Sequence, residues 1–263
     1  MRYGVMNSPM RPLLQEVDAL GKLGFDYLEV TMDAPFAHYT VIRDQQGDLS
    51  KALNQWGLAL AFHLPTFVST ADITESLREA SIQETIQSMQ VAAELQPLKA
   101  VLHPSFIQGL GAMMRDQAQR HAMASMTRLL NEAERLDLPV CVENMFPNAR
   151  SLVMPEDFDV VFERFPKIKM TLDTGHANIG GGTQRILDFI DRFGDRIGHI
   201  HASDNSGRSD DHLPIGAGSI DFPEVIRKLK SVGYDDTITL EVFSRDRDYL
   251  RISREKLIRM FSA

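Results

Sequence analysis

Along the whole chain, short runs of apolar and β-branched residues alternate with longer segments whose apolar positions recur at three- and four-residue spacing. The short runs predict strands at Tyr3–Met6, Tyr27–Thr31, Leu58–His63, Ala100–His103, Pro139–Glu143, Lys169–Asp173, Ile197–His201 and Thr237–Val242. The longer segments predict helices near 11–23, 44–56, 75–95, 113–136, 155–164, 183–193, 222–231 and 246–260. Eight repeats of strand then helix within 263 residues predict an α/β chain folded as a single (β/α)8 TIM barrel, one domain over residues 1–263. A doubly wound sheet would have fewer strands and a switch point. No Pro/Gly/Ser-rich linker or shift of composition marks a second domain, and "GLGAM" at 109–113 and "IGGGTQ" at 179–184 read as strand-to-helix loops.

In such barrels the functional groups sit at the carboxyl ends of the strands. There the predicted strands carry His63 in "AFHLP", His103 in "VLHPS", Glu143 in "CVENM", Asp173 in "TLDTGH", His201 in "HIHASD" and Glu241 in "TLEVF". Alternation turns these groups into the barrel, because residues two apart on a strand share a face. On the third strand Ala59 and Ala61 point inward with His63 while Leu60, Phe62 and Leu64 meet the helices. On the fifth Cys141 accompanies Glu143, and on the eighth Thr239 accompanies Glu241. Imidazoles and carboxylates converging on one barrel mouth repel or stay unsatisfied unless something pairs them, and a divalent cation resolves all of them together.

Composition narrows the metal chemistry. The single cysteine, Cys141, excludes both an intramolecular disulfide and a thiolate-rich zinc site, which leaves nitrogen and oxygen ligands. A formal net charge of −8 disfavours a nucleic acid or an anionic membrane as partner. No apolar stretch reaches membrane-spanning length and no secretory leader pattern opens the chain, so the expectation is a cytoplasmic protein with no membrane partner; homo-oligomerisation is left open.

Residues 199–221, HIHASDNSGRSDDHLPIGAGSID, hold three histidines and four aspartates in twenty-three positions. With His176, three residues after Asp173, the loop residues Asp210 and His212 extend the candidate ligands beyond what one ion requires. His176 fits either a ligand or a substrate-contacting imidazole, and Asp210 and His212 fit either ligands or loop structure. His199 lies one layer deeper than His201 and is expected to pack or hydrogen-bond. Glu29, at the end of the second strand, is a candidate for hydrogen bonding a substrate hydroxyl or for a structural role; Trp56 is expected to pack its helix. The Gly-rich "IGAGS" forms a turn in the first instance, with backbone N–H groups that would suit a phosphate as the alternative.

The ordered set "LGFDYLEV", "FHLP", "HPS", "ENM", "DTGHAN", "HIHASDN", "DHLPIGAGSIDF" and "GYDDTITLEV" resembles the sugar phosphate isomerase/epimerase proteins of the xylose isomerase-like TIM barrel superfamily, which includes AP endonuclease IV. The resemblance covers nearly the whole chain. Its epimerase branch implies one metal held by Glu143, Asp173, His201 and Glu241; the residues themselves add zinc or manganese as that metal, Glu143 and Glu241 as candidates for the acid/base pair, and His176 and Glu29 as candidates to contact the substrate. Its endonuclease branch implies up to three zinc ions, adding His63, His103, His176, Asp210 and His212. That branch usually carries Arg between the loop Asp and His, where this chain has Asp211.

The leading expectation is therefore a divalent-metal-dependent isomerase or epimerase transferring a proton on a small keto-sugar, polyol or sugar phosphate. A zinc-dependent phosphodiesterase acting on DNA or a smaller phosphoester is the alternative, and a non-catalytic barrel is disfavoured by the intact ligand set.

Overall fold

The computed structural model describes all residues, 1–263, and its eight strands close in chain order into a parallel barrel. The strands are β1 (Arg2–Met6), β2 (Tyr27–Thr31), β3 (Ala59–His63), β4 (Ala100–Leu102), β5 (Val140–Glu143), β6 (Lys169–Asp173), β7 (Ile197–Ala202) and β8 (Thr237–Leu240). The helices are α1 (Leu13–Gly21), α2 (Tyr39–Asp44), α3 (Gln46–Trp56), α4 (Glu75–Glu94), α5 (Leu110–Met113) and α6 (Arg115–Arg135). They continue with α7 (Asp159–Arg164), α8 (Thr174–Asn178), α9 (Gly182–Phe193), α10 (Phe222–Ser231) and α11 (Asp248–Ser262), and 3₁₀ turns occupy Pro147–Ala149 and Pro155–Phe158. No helix is long and apolar enough to cross a membrane.

The expected strands and main helices are present, with informative differences at their ends. β4 stops at Leu102 and β8 at Leu240, so His103 and Glu241 are the first residues beyond their strands. Glu29 is not at the end of β2 but at its centre, fully buried. The helix expected over 44–56 begins at Gln46 behind a separate short helix, α2, and the "GLGAM" loop contains the helical turn α5. Immediately after β6, Asp173 caps α8 by accepting from the His176 N–H at 2.5 Å, which makes Thr174–Asn178 a helix that the sequence pattern does not predict.

Two compact units make up the chain: Met1–Val5, Glu143–Pro147 and Leu152–Ala263 form one, and Met6–Val142 with Asn148–Ser151 the other. In the first, β6 pairs with β7 (Asp173 opposite His201) and β7 with β8 (His201 opposite Thr239), which sets Asp173 and His201 side by side. Its core includes an aromatic cluster of Phe158, Phe162, Phe189 and Phe193 beneath the amphipathic α9. In the second, β2 pairs with β3 and β3 with β4, and β4 with β5. There α1 and α3 meet where Gly21 faces the Trp56 ring, and the Trp56 indole N–H donates to Asp18 Oδ1 at 2.9 Å. This is the packing role expected of Trp56.

Candidate metal centre

The four residues implied as a single-ion set all lie in the first unit, and each is almost wholly buried. His201 Nδ1 stands 3.2 Å from Glu143 Oε1, 3.2 Å from Glu241 Oε1 and 3.8 Å from Asp173 Oδ2. Three carboxylates thus surround one imidazole nitrogen. The strand ends place them: Glu143 and Asp173 close β5 and β6, His201 is the penultimate residue of β7, and Glu241 follows β8.

His176 joins this group from α8. Its Nδ1–H donates to the Asn144 carbonyl at 2.9 Å and lies 3.3 Å from Glu143 Oε1, while Nε2 lies 3.4 Å from Asp210 Oδ2. Asp210 Oδ2 in turn is 3.0 Å from His212 Nε2, whose opposite nitrogen donates to the Glu241 carbonyl at 3.1 Å. Asp210 and His212 therefore reach the carboxylate cluster from the loop, and one ligand atom each from Glu143, Asp173 and His176 lie within 4.8 Å of one another.

The electrostatics follow from crowding. Burial pushes the Asp173 carboxyl up to about 8; the neighbouring His176 pulls against this, and the Glu241, Glu143 and Asp210 carboxylates add to it. Burial alone would lower both His176 and His212, but the carboxylates around them outweigh it, holding His176 well above the ordinary imidazole range and His212 at about 9. Burial acts to raise Asp210, yet its hydrogen bonds with His176 and His212 hold it below the usual carboxylate range.

This donor set fits a divalent cation. Asp173 uses Oδ1 for its helix cap, whereas Oδ2 is buried with no hydrogen-bond partner, and Asp210 Oδ1 is likewise buried and unpartnered. Buried carboxylate oxygens without donors are costly, and an oxygen- and nitrogen-liganded cation removes that cost.

The remaining predicted residues are placed as follows. His63 and His103 lie in the second unit and face each other, Nε2 to Nε2, at 3.2 Å; His63 Nδ1–H donates to the Leu64 carbonyl at 2.9 Å. Glu29 belongs to that unit as well, and its carbonyl accepts from the Asn7 N–H. His199 is the expected deeper residue, with Nδ1 2.7 Å from Thr237 Oγ1 and Nε2 3.3 Å from Thr239 Oγ1.

Asn144 carries a role that sequence reasoning missed. Its side chain donates to the Asp173 carbonyl at 3.0 Å and accepts from the Asp173 N–H at 2.8 Å, while its own carbonyl orients His176. It acts as a rung of backbone between β5 and β6 and sets two candidate ligands at once. The one available signal was its position directly after Glu143 in "ENM".

A closed eight-stranded parallel barrel with carboxylates and imidazoles gathered at its strand ends defines a TIM barrel with a candidate metal centre. The chain belongs to the xylose isomerase-like TIM barrel family, whose model matches residues 17–260. An uncharacterised protein of Methanocaldococcus jannaschii is 28% identical, covering 98% of this chain and 92% of that protein. A D-psicose 3-epimerase of Enterocloster bolteae is 26% identical, covering 86% of this chain and 75% of that enzyme. Among solved structures, a D-tagatose 3-epimerase-like protein superposes with a TM-score of 0.84 at 25% identity, covering 100% of this chain and 97% of that one.

Proposed function

We propose that this protein is a sugar isomerase or epimerase that depends on a divalent metal, zinc or manganese, and moves a proton on a small keto-sugar, polyol or sugar phosphate, working as one domain over residues 1–263. The observation that carries this reading is the placing of Glu143, Asp173 and Glu241 around His201 Nδ1 at 3.2–3.8 Å. The D-psicose 3-epimerase among its relatives supports the reaction class.

In this proposal Glu143, Asp173, His201 and Glu241 hold the ion. When bound, it supplies Lewis-acid polarisation of substrate oxygens, which acidifies the carbon next to a carbonyl. Glu143 and Glu241 are the acid/base pair: one removes that proton and the other returns one, so that configuration inverts when the two act from opposite faces. His176, its Nδ1 committed to the Asn144 carbonyl, keeps Nε2 for Asp210 or a substrate oxygen.

The reach of Asp210 and His212 toward His176 favours a second reading: a multi-zinc phosphodiesterase. Metal content separates the two. Protein purified without added metal and analysed for bound metals should carry one ion per chain and, with manganese supplied, exchange a carbon-bound proton of a ketose with solvent deuterium. Three zinc ions per chain, with phosphodiester cleavage and no exchange on any ketose, would overturn the epimerase reading.

A further inference from the structure

The Gly-rich stretch after β7 is unused by the proposed chemistry, although its backbone N–H groups look suited to an anion. They already have one. The Asp204 carboxylate, fully buried, accepts from Asn205 N at 2.9 Å and Ile220 N at 3.2 Å through Oδ1, and from Gly216 N at 3.0 Å and Gly218 N at 2.9 Å through Oδ2. Charge-assisted bonds of this kind are about twice as strong as neutral ones. The loop is drawn down tightly: a Cβ on Gly218 would lie 2.2 Å from the Asn205 carbonyl and 2.4 Å from Asp204 Oδ1. Two further side chains extend the closure, with Asn205 accepting from Gly207 N at 2.8 Å and Asp211 accepting from Ser206 N at 3.3 Å.

The same residue ties down the arm that bears Asp210 and His212. Asp204 and Leu213 exchange both backbone hydrogen bonds, at 2.9 and 2.8 Å, immediately after His212. His212 itself has φ of 45°, a left-handed conformation that a side-chain-bearing residue keeps only when its surroundings impose it. On the return arm, α11 grips the peptides of Ile215, whose N–H donates to Ser253 Oγ at 3.1 Å and whose carbonyl accepts from Lys256 Nζ at 2.5 Å.

We propose that Asp204 is the positioning residue for the Asp210–His212 arm: its buried carboxylate serves as the built-in anion of the Gly-rich turn and holds the two loop groups against the metal centre. This role rests on the proposed metal site, which Asp210 and His212 reach through His176 and Glu241, so its test has one readout that needs no metal.

The experiment compares the full-length wild type with Asp204→Asn, which keeps shape but loses charge and half the acceptors, and with Gly218→Ala, which keeps the carboxylate but blocks the turn. Hydrogen–deuterium exchange in the metal-free proteins and zinc affinity by chelator competition are measured together. Both variants should exchange faster over 204–221 while β7 and β8 stay protected, and both should bind zinc roughly 10–100-fold more weakly, as loss of a supporting group around a metal typically does. Unchanged exchange in the loop, or a loosened loop with wild-type zinc affinity, would overturn the proposal, as would loss of protection throughout the barrel. If the wild type binds no zinc or manganese, the metal-site reading fails, and the exchange measurement still decides whether Asp204 holds the arm.

Discussion

Glu143 and Glu241 each touch His201 Nδ1 through one oxygen, so replacing either by glutamine keeps the shape and one oxygen while removing the proposed base. Glu143→Gln and Glu241→Gln should each lower solvent exchange of the substrate proton at least about 100-fold, the usual scale of a general base. Metal content, measured beside exchange, separates loss of the base from loss of the ion. The protons on this cluster give a second expectation. In the metal-free protein Asp173 keeps its proton up to about 8 and His212 up to about 9, and His176 is held higher than usual. Metal binding at Asp173 must expel its proton, so apparent affinity should rise with pH up to about 8, as seen in chelator competition across pH. Calorimetry in buffers of different ionisation enthalpy should register net proton release at pH 7; affinity that falls with rising pH over this range would contradict the assignment.

At the scale of elements, the site depends on side chains that act as extra backbone. Asn144 bridges β5 to β6 through both atoms of its amide, and Asn144→Asp removes the donor while placing a negative oxygen beside the Asp173 carbonyl. That variant should weaken zinc or manganese binding roughly 10–100-fold, with far-ultraviolet circular dichroism unchanged. The α1–α3 contact is independent of the site and supplies a stability test. A Cβ on Gly21 would lie 2.3 Å from the Trp56 ring, so Gly21→Ala should cost about 1–3 kcal/mol in urea denaturation, the range for overpacking. Metal affinity per folded molecule should stay at the wild-type value.

For the whole molecule, an ion that binds only the folded chain adds stability by mass action. Metal at 100 times its Kd contributes about 2.7 kcal/mol, a rise of roughly 5–10 °C in Tm for a chain of this size. A chelator should reverse that rise in the wild type and leave an Asp173→Ala variant unmoved in differential scanning calorimetry; an equal metal response in the variant would place the ion elsewhere. The barrel itself was legible in the chain because period-two strands and three- and four-residue helical spacing are local patterns. The turns at α2, α5 and α8 were not, since helices of four to six residues are too short to show a period.

By itself, then, the sequence determined the order of eight strand–helix units, the residue types at their carboxyl ends and the inward direction of His201, because each follows from neighbours a few positions apart. Only the tertiary structure decided which of those groups meet. It set three carboxylates around His201, closed the loop of Asp210 onto His176, made Asn144 a bridge to Asp173 and filled the Gly-rich turn with Asp204 rather than leaving it for a phosphate. These contacts join residues from 12 to 58 positions apart, 12 for Asp204 to Gly216 and 58 for Glu143 to His201, through backbone register and side-chain hydrogen bonds. Such bonds have no period to read and exist only once the strands have paired.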